Sequence, residues 1–424
     1  MREMKDSGIE WIGEIPKSWT ITILSALFSE RKCKNSGLVE NNLLSLSYGN
    51  IVRKNIESNE GLLPASFETY NIIEPGNIVF RLTDLQNDKR SLRTGLCKER
   101  GIITSAYVTL QIRSDDSPRY MHYLFHTYDL CKVFYGMGDG VRQGMNYEDL
   151  KRLRILRPDQ ETQRRIADYL DRKCSQIDAI ITRQQEVIEK LKAYKLSVIT
   201  EAVTKGLNPD VSMKDSGVEW IGEIPEHWQV PKIKCLATIA SGGTPDRSHP
   251  EYWNGSINWA KTGELQNNEL YETEEKITEL ALENSSAKVF SVDTILVAMY
   301  GQGKTRGMTA LLKVPSATNQ ACAGIAVYSK DITVSYLWLF LMGAYDAIRE
   351  KANGSGQPNL SGALIADFNV TLPPIEEQMN ICKTVAMRLP HIDSIIKQKE
   401  TIVDKLTAYK KSLIYEVVTG KKEV

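Results

Sequence analysis

Apolar residues recur every seven positions along two long, otherwise polar segments, near residues 163–203 and 382–417. In each segment a second apolar series lies three or four positions from the first. Two interleaved series at this spacing are typical of a coiled-coil seam. We therefore predict two long helices that pair with each other, the first about 60 Å long at 1.5 Å per residue. The predicted seam residues are Leu170, Ile177, Ile181, Ile188, Leu191, Val198, Ile392, Ile396, Val403, Leu406 and Leu413.

The second helical segment contains an interior proline, Pro390. Because such a proline removes a backbone hydrogen bond and kinks or breaks a helix, we expect an interruption near Leu389 and a regular helix from about His391. Gln184 and Lys399 occupy equivalent positions of the seam. Polar residues there either fix the register of the helix pair or are simply exposed to solvent.

Between the helical segments the pattern changes to short apolar runs bounded by Gly, Asn and Pro. The runs NIVFRL, AYVTLQI, TILVAMY and CAGIAVY have the length and residue types of strands. RYMHYLFHTYDLCKVF and SYLWLFLMGAYDAIREKA each predict a single helix. Residues 20–157 and 229–372 are therefore predicted to form two mixed α/β domains, which we call the first and second globules.

One sixteen-residue segment occurs twice in the chain. MKDSGIEWIGEIPKSW (residues 4–19) and MKDSGVEWIGEIPEHW (residues 213–228), the first and second opening segments, share thirteen of sixteen positions. Residues 177–206 and 392–421 also align without gaps. Such self-similarity indicates two tandem halves, each with an opening segment, a globule and a long helix. The predicted boundaries are a first domain at 1–157, a first helix at 158–206, a linker and second domain at 207–372, and a second helix at 373–424.

The composition of 424 residues, 42% apolar and 25% charged, is that of a soluble protein with several folded units. No apolar run reaches the ~20 residues that a membrane span needs. The charged N-terminus is unlike a secretory signal, so we expect a cytoplasmic location. Seven cysteines are scattered without a Cys-x-x-Cys pair, which argues against a disulfide framework and a zinc site. A formal net charge of zero argues against polyanion binding over the whole surface, although residues 81–113 and 294–330 are locally basic.

Apparent catalytic motifs are incomplete. GQGKT at 301–305 has Ala298 where a phosphate-binding loop needs glycine. His122 and His126 have helical spacing, but Tyr123 follows the first, where a zinc protease needs glutamate. No Gly-x-Gly-x-x-Gly motif follows a predicted strand. The chain is therefore predicted to be non-catalytic, without a metal site or a cofactor of its own.

The order of these features along the chain resembles that of a known protein family. Each opening segment contains WIGEIPxxW, the globules contain RLTDLQNDKRS…GIITSAY and AMYGQGKTRG…TNQACAGI, and GQPNLSGALIADFNVTLPPIEEQ leads into the second helix. Together with the alternation of two globules and two long helices, this resembles the specificity subunit of type I restriction-modification systems over essentially the whole chain. Each motif alone is weak, but their repeated order is specific.

The resemblance implies an α/β fold in which two target recognition domains are separated by an antiparallel coiled coil with approximate two-fold symmetry. Such a chain is nearly circular, so its two ends should lie close together. Each domain is expected to recognise one half of a split double-stranded DNA target, while the helices set the gap. The resemblance also implies two DNA methyltransferase subunits as partners, with restriction motor-nuclease subunits able to join them. S-adenosylmethionine, ATP and Mg²⁺ then belong to the partners.

DNA contacts are expected in loops that combine glycine with Arg, Lys, Asn or Gln, where the backbone approaches phosphate and side chains reach base edges. The candidates in the first globule are Arg81, Lys89, Arg90, Arg93, Arg142 and Gln143. Those in the second globule are Lys304, Arg306, Asn319, Gln320, Gln357 and Asn359. The alternative for each is a structural role in a turn or in the segment that leads into a long helix.

Two functional questions stay open from the sequence. The tryptophans of the opening segments either dock the methyltransferase partners or attach each globule to the helices; they are Trp11, Trp19, Trp220 and Trp228. The whole chain is either a specificity subunit that delivers methyltransferase partners to an adenine-containing target, or an orphan DNA-binding or scaffold protein without such a partner. Stable association with a methyltransferase separates the two.

Overall fold

The computed structural model describes residues 2–55, 64, 66–85, 92–137, 144–301, 303–352 and 359–424. The chain divides into two compact units. The first unit consists of Met1–Gln185 and Thr401–Val424, and the second of Glu186–Glu400. Each unit therefore contains one opening segment, one globule and a part of each long helical segment.

The first unit begins with a hairpin made by the opening segment. Its strands and helices are β1 (Met4–Asp6), β2 (Glu14–Pro16), β3 (Thr20–Ile23), α1 (Leu24–Leu27), β4 (Phe28–Glu30), β5 (Leu44–Ser47), β6 (Asn50–Arg53), β7 (Asn71–Ile73), β8 (Ile78–Phe80), β9 (Thr94–Leu96), β10 (Gly101–Ile103), β11 (Val108–Ile112), α2 (Pro118–Leu130), α3 (Tyr147–Leu150), β12 (Arg154–Arg157) and the first part of the long helix α4 (Gln160–Lys205). The central sheet is antiparallel in the order β4-β11-β8-β9. Three antiparallel pairs, β3 with β12, β7 with β10 and β5 with β6, complete the globule.

Helix α2 forms because its sequence supplies both a cap and an apolar face. The Ser117 hydroxyl accepts a hydrogen bond from the backbone N–H of Tyr120, and proline occupies the first turn. Tyr120, Leu124 and Tyr128, four residues apart, are buried. The helix ends at Leu130 because Lys132 adopts a left-handed conformation (φ 60°), and a 3₁₀ turn follows at Val133–Gly136. The single helix predicted for this segment is therefore shorter than expected.

The second unit repeats the hairpin and surrounds a larger sheet. Its further elements are β13 (Met213–Asp215), β14 (Glu223–Pro225), β15 (Ala237–Ser241), β16 (Trp253–Ala260), β17 (Asn268–Leu270), β18 (Glu275–Ile277), α5 (Glu279–Glu283), β19 (Ile295–Ala298), β20 (Thr309–Leu312), β21 (Ser316–Thr318), β22 (Cys322–Val327), α6 (Val334–Gly343), α7 (Tyr345–Glu350), α8 (Gly362–Ala366) and the first part of the long helix α9 (Ile375–Val418). One sheet has the order β15-β22-β19-β20-β17 and another the order β18-β16-β21. The predicted mixed α/β class is confirmed, but the segment predicted as one helix splits into α6 and α7 at Ala344.

The predicted seam residues lie away from solvent in the two long helices. Each of the eleven predicted residues is buried or half-buried, and Leu170 and Leu413 are 0% and 1% exposed. In the second unit Lys195 Nζ lies 2.6 Å from Asp393 Oδ1, and Lys192 Nζ lies 4.0 Å from Glu400 Oε1. Because the partner number rises as the residue number falls, the two helices run antiparallel there.

The same charge pair occurs again in the first unit. Lys410 Nζ lies 2.6 Å from Asp178 Oδ2. Lys410 and Asp178 are the repeat equivalents of Lys195 and Asp393, so the helices have an equivalent register in both units. Exposed ion pairs contribute about 0–1 kcal/mol each. These ion pairs therefore favour one register of the helix pair more than they add to its stability.

The interruption expected at Pro390 is absent: α9 continues through it from Ile375 to Val418. The proline ring disrupts the hydrogen bond to the carbonyl of the residue four positions earlier, Ala386. Pro390 and Ala386 are both exposed, so water can satisfy that carbonyl. Packing of Val385 and Ile392 on either side holds the helix together.

The two ends of the chain meet in the first unit. The Tyr415 hydroxyl donates to the Trp11 carbonyl oxygen at 3.0 Å, and Lys421 Nζ donates to the Glu14 carbonyl oxygen at 3.3 Å. Val424 packs against the core of the same unit. The C-terminal residues thus contact the first opening segment, as the resemblance implies.

Candidate functional site

The loop between β19 and β20 presents two of the predicted contact residues, Lys304 and Arg306. From α7, Arg349 donates through Nη2 to the carbonyl oxygen of Gly303 at 2.8 Å and through Nη1 to that of Arg306 at 2.9 Å. The Tyr345 hydroxyl donates to the Lys304 carbonyl oxygen at 2.6 Å. These bonds hold the loop backbone against α7, while the Lys304 side chain remains 82% exposed.

Three predicted stretches of the second globule converge beside this loop. The Met299 N–H donates to the Ala321 carbonyl oxygen at 2.8 Å, and the Leu360 N–H donates to the Met299 carbonyl oxygen at 3.0 Å. Ala321 follows Gln320, and Leu360 follows Asn359. The strand end at Met299 therefore brings together the loops that carry Lys304, Gln320 and Asn359. We call residues 300–301, 303–307, 319–321 and 359–360 the convergent loop surface.

The candidates on this surface differ in exposure. Gln320 is exposed, while Asn319 and Asn359 are half-buried. The Asn319 backbone is fixed on both sides, since its N–H donates to the Ala260 carbonyl oxygen and its own carbonyl oxygen accepts from the Cys322 N–H, each at 3.1 Å. The TNQA turn thus has a structural role and still exposes Gln320. Gln357 lies outside the described residues.

In the first globule the loop between β8 and β9 is the topological equivalent. Arg81 is half-buried at its start. Arg93, at its end, is 0% exposed and donates to the carbonyl oxygens of Thr83 at 2.7 Å and Asp84 at 3.2 Å. The prediction that Arg93 contacts DNA is therefore corrected: its guanidinium is enclosed by its own loop. Lys89, Arg90, Arg142 and Gln143 lie outside the described residues.

Trp19 and Trp228 are packed inside their own units, at 1% and 0% exposure. Each ring meets a glycine that follows a long helix. A Cβ at Gly420 (φ 72°) would lie 3.1 Å from Trp19, and a Cβ at Gly206 (φ 75°) would lie 3.1 Å from Trp228. The opening segments thus attach to the helix ends. Because neither ring is exposed, these two tryptophans have no surface with which to contact a partner.

Trp11 and Trp220 are half-buried and also make internal contacts. The ring of Trp11 lies edge-on to Tyr128 with centroids 4.6 Å apart. The ring of Trp220 stacks on Phe368 at 5.9 Å and contacts Phe340 at 5.6 Å. These contacts join each opening segment to the core of its own globule.

A buried glutamine occupies the same place in both halves and was not identified as a functional residue from the sequence. Gln378 donates to the carbonyl oxygens of Asp331 at 2.7 Å and Pro373 at 2.8 Å, and accepts from the Thr333 N–H at 2.8 Å. Thr333 is the N-cap of α6. The side chain therefore joins the start of α9 to the start of a globule helix.

Gln163 makes the equivalent contacts in the first unit. It donates to Asp116 Oδ1 at 2.6 Å and to the Pro158 carbonyl oxygen at 2.9 Å, and accepts from the N–H of Ser117, the N-cap of α2. Burial raises the pKa of Asp116, but hydrogen bonds from Gln163, Ser114 and Arg157 outweigh it, and the net pKa lies below the usual value. The repeated PxxExQ spacing was the available signal.

A tyrosine in each of the globule helices α2 and α6 binds the end of a long helix. The Tyr120 hydroxyl donates to the Val418 carbonyl oxygen at 3.3 Å, and the Tyr336 hydroxyl donates to the Val203 carbonyl oxygen at 3.2 Å. Val203 and Val418 are repeat equivalents near the ends of α4 and α9. In each unit a globule helix is thus bonded to the end of one long helix, and a buried glutamine ties it to the start of the other.

His122 and His126, four positions apart in the sequence, both lie in α2. Their ring centroids are 6.2 Å apart on α2. Burial lowers the pKa of His122 to about 4. Burial, together with the nearby His122, Lys410 and Lys411, lowers the pKa of His126 to about 3. Both rings are therefore neutral near pH 7.

The histidine pair predicts loss of stability in mild acid. An unfolded histidine has a pKa near 6.5, so below that pH the unfolded chain binds protons that the folded chain excludes. Stability should therefore fall as the pH drops from about 6.5 towards 4, by at most about 2 kcal/mol per histidine at pH 5. Urea unfolding at pH 7.5 and 5.0 measures this. His122→Gln with His126→Gln should flatten the dependence, whereas His249→Gln, at an exposed histidine, should not.

Neither a metal-binding cluster nor a membrane-spanning helix occurs within the described residues. No group of three or more His, Cys, Asp or Glu side chains among them is placed to hold a metal ion. In the same part of the chain, no helix is long and apolar enough to cross a membrane.

Comparisons with known proteins agree with this architecture. Residues 225–411 match the family model described as the type I restriction modification DNA specificity domain. The type I restriction enzyme MjaIX specificity subunit of Methanocaldococcus jannaschii is 34% identical over 188 residues, 42% of this chain and 41% of that relative. The MjaVIII specificity subunit of the same organism is 26% identical over 336 residues, 76% of this chain and 75% of that relative. The first match thus spans less than two thirds of the relative's length.

A solved structure shares the fold over nearly the full chain. A chain in the structure that describes complex assembly and conformational transition of the type I R-M system superposes with a TM-score of 0.70 at 12% identity. The match covers 96% of this chain and 99% of that chain. The succession of globules and long helices is therefore common to both.

Proposed function

We propose that this chain, which belongs to the family of type I restriction-modification specificity subunits, recognises a two-part DNA target with one globule for each part. The observation that carries the proposal is the contrast between the globules and the rest of the chain. We call the opening segments and the two long helices, together with the side chains that bind them to the globules, the frame. Opening segments, glutamines, tyrosines and charge pairs recur in both units, while the globules differ in sequence and sheet order. Two different half-sites require different base contacts on an unchanged frame.

The DNA-contacting part of the second globule is proposed to be the convergent loop surface. The Lys304 side chain is 82% exposed, with its Nζ 3.7 Å from Glu189 Oε2, and Gln320 is exposed beside it. A cation supplies phosphate contacts, and an amide can bond the edge of adenine. In the first globule the equivalent loop begins at Arg81. Lys89, Arg90, Arg142, Gln143 and Gln357 remain candidates on sequence grounds alone.

Partners are proposed to dock on the outer faces of the long helices. Tyr194 and Tyr409 are repeat equivalents, 59% and 52% exposed. Each precedes the lysine of a charge pair, Lys195 or Lys410. A large exposed aromatic at the same place in both halves is suited to two copies of one partner, because aromatic side chains are enriched at interfaces. We propose two methyltransferase subunits there, with S-adenosylmethionine, ATP and Mg²⁺ bound by partner subunits, including any restriction subunits.

Methylation mapping tests the proposal. The chain is produced together with the methyltransferase of its host, and modified adenines are mapped on plasmid DNA. The expected result is a two-part motif separated by a gap of unspecified bases. A contiguous motif would refute division of the target between the globules. Failure of the two proteins to form a stable complex on size-exclusion chromatography would favour the orphan DNA-binding or scaffold protein.

A further inference from the structure

The described backbone that follows β8 and the one that follows β19 are held by the same pair of side-chain types, an arginine and a tyrosine. In the second globule Arg349 bonds the carbonyl oxygens of Gly303 and Arg306, and its Nη1 donates to the Tyr345 hydroxyl at 2.8 Å. The guanidinium carbon lies 5.0 Å from the centre of the Tyr345 ring. One arginine thus binds two carbonyls of the loop, and a tyrosine supports the arginine.

In the first globule Arg93 bonds the carbonyl oxygens of Thr83 and Asp84, and its guanidinium carbon lies 5.6 Å from the centre of the Tyr135 ring. Arg93 Nε donates to the Tyr135 hydroxyl at 3.5 Å. The Arg93 backbone N–H also donates to Asp129 Oδ2 at 2.5 Å, which ties the end of the loop to α2. The chemistry matches that of the second globule.

The two arginines come from different elements. Arg93 belongs to the end of its own loop, whereas Arg349 belongs to α7. The repeat alone therefore does not account for the similarity. Each arginine binds backbone carbonyl oxygens, which are independent of loop sequence, so the loop side chains are free to differ between the globules.

We propose that Arg349 with Tyr345 fixes the DNA-recognition loop after β19 before DNA binds, and that Arg93 with Tyr135 fixes Thr83 and Asp84 after β8. Each would then be a positioning pair that determines discrimination at its own half-site. This inference rests on the proposed function and adds residues that do not touch DNA. The loop after β19 contains Gly301, Gly303 and Gly307, all with positive φ. Such a loop loses much conformational freedom when it is ordered.

Because these contacts already order the loop in the free protein, little conformational freedom is lost when DNA binds. A pre-ordered loop therefore binds its DNA more tightly and rejects incorrect bases more strongly. The fit is close, since a Cβ at Gly307 would lie 3.1 Å from Arg349 Cγ and 3.5 Å from the Tyr345 ring. The pairing thus depends on glycine at this position.

The test uses the full chain with its methyltransferase partner and plasmid libraries randomised at either half-site. Arg349→Ala should lower discrimination at one half-site at least tenfold, as expected for the loss of two to three net hydrogen bonds, and leave the other half-site unchanged. Arg349→Lys keeps the charge but cannot bridge two carbonyls in the same way, so it should show an intermediate loss. Tyr345→Phe should lower discrimination at that same half-site. Arg93→Lys should affect the opposite half-site.

Lys351→Ala is the matched control, because it removes an exposed cation two residues from Arg349, and it should retain wild-type discrimination. Thermal unfolding of every variant identifies those that remain folded. The positioning role would be overturned by any of three results: unchanged discrimination in folded Arg349→Ala, an equal loss of discrimination at both half-sites, or wild-type discrimination by Arg349→Lys. A wild-type complex that recognises no two-part motif would instead overturn the proposed function.

Discussion

Replacing Gln378 by alanine should lower the free energy of unfolding of the second unit by about 3 kcal/mol. The substitution leaves one buried backbone group, the Pro373 carbonyl oxygen, and two part-buried ones, the Thr333 N–H and the Asp331 carbonyl oxygen, without their side-chain partner. Each such group costs about 1–3 kcal/mol when left unsatisfied, and water entering the cavity offsets part of that cost. Hydrogen exchange resolved by peptide measures the effect separately in each unit, because unfolding of a two-unit chain is not a single transition.

Gln163→Ala is the matched variant in the first unit, and it should raise exchange there. Gln320→Ala removes an exposed side chain of the same type and should change stability by no more than about 0.5 kcal/mol. A change below about 1 kcal/mol for Gln378→Ala would show that the hydrogen bonds are replaced by solvent. In that case the join between α6 and α9 depends on apolar packing alone.

The two long helices could be predicted because a seven-residue period persists over many turns, and each turn adds information. Pro390 was misjudged because a local rule ignores exposure. The lost hydrogen bond falls on the exposed side of the helix, where the carbonyl is accessible to water, and the packing of Val385 and Ile392 outweighs the local penalty.

The candidate contact residues were predicted less well, since composition does not distinguish a surface arginine from a buried one. Arg93 has the same basic neighbours in sequence as an exposed residue, yet its guanidinium is satisfied by the carbonyls of its own loop. No sequence feature distinguished Arg349 from the other polar residues of its helical segment. Its role depends on a loop more than forty positions away, and only the tertiary structure shows that contact.

Exchanging residues 20–157 for the first globule of another family member should change one half of the DNA target and leave the other half and the gap intact. The structure favours this exchange because the two junctions are adjacent. Thr20 is the register partner of Arg157 in the pairing of β3 with β12, and its hydroxyl donates to the Arg157 carbonyl oxygen at 2.9 Å. Gln229 and Leu372 form the equivalent bridge in the second unit. Each globule therefore enters and leaves its frame at one place.

The incoming globule must supply the groups that bind the frame, namely equivalents of Asp116, Ser117 and Tyr120. With these present, methylation of the original target should fall about 10³-fold, since each mismatched base pair costs about 1–3 kcal/mol. A hybrid target should be methylated instead. Exchange of residues 229–372 is the reciprocal control and should change the other half. If either exchange altered both halves, the globules would not recognise DNA independently, because a frame contact would then transmit the change from one unit to the other.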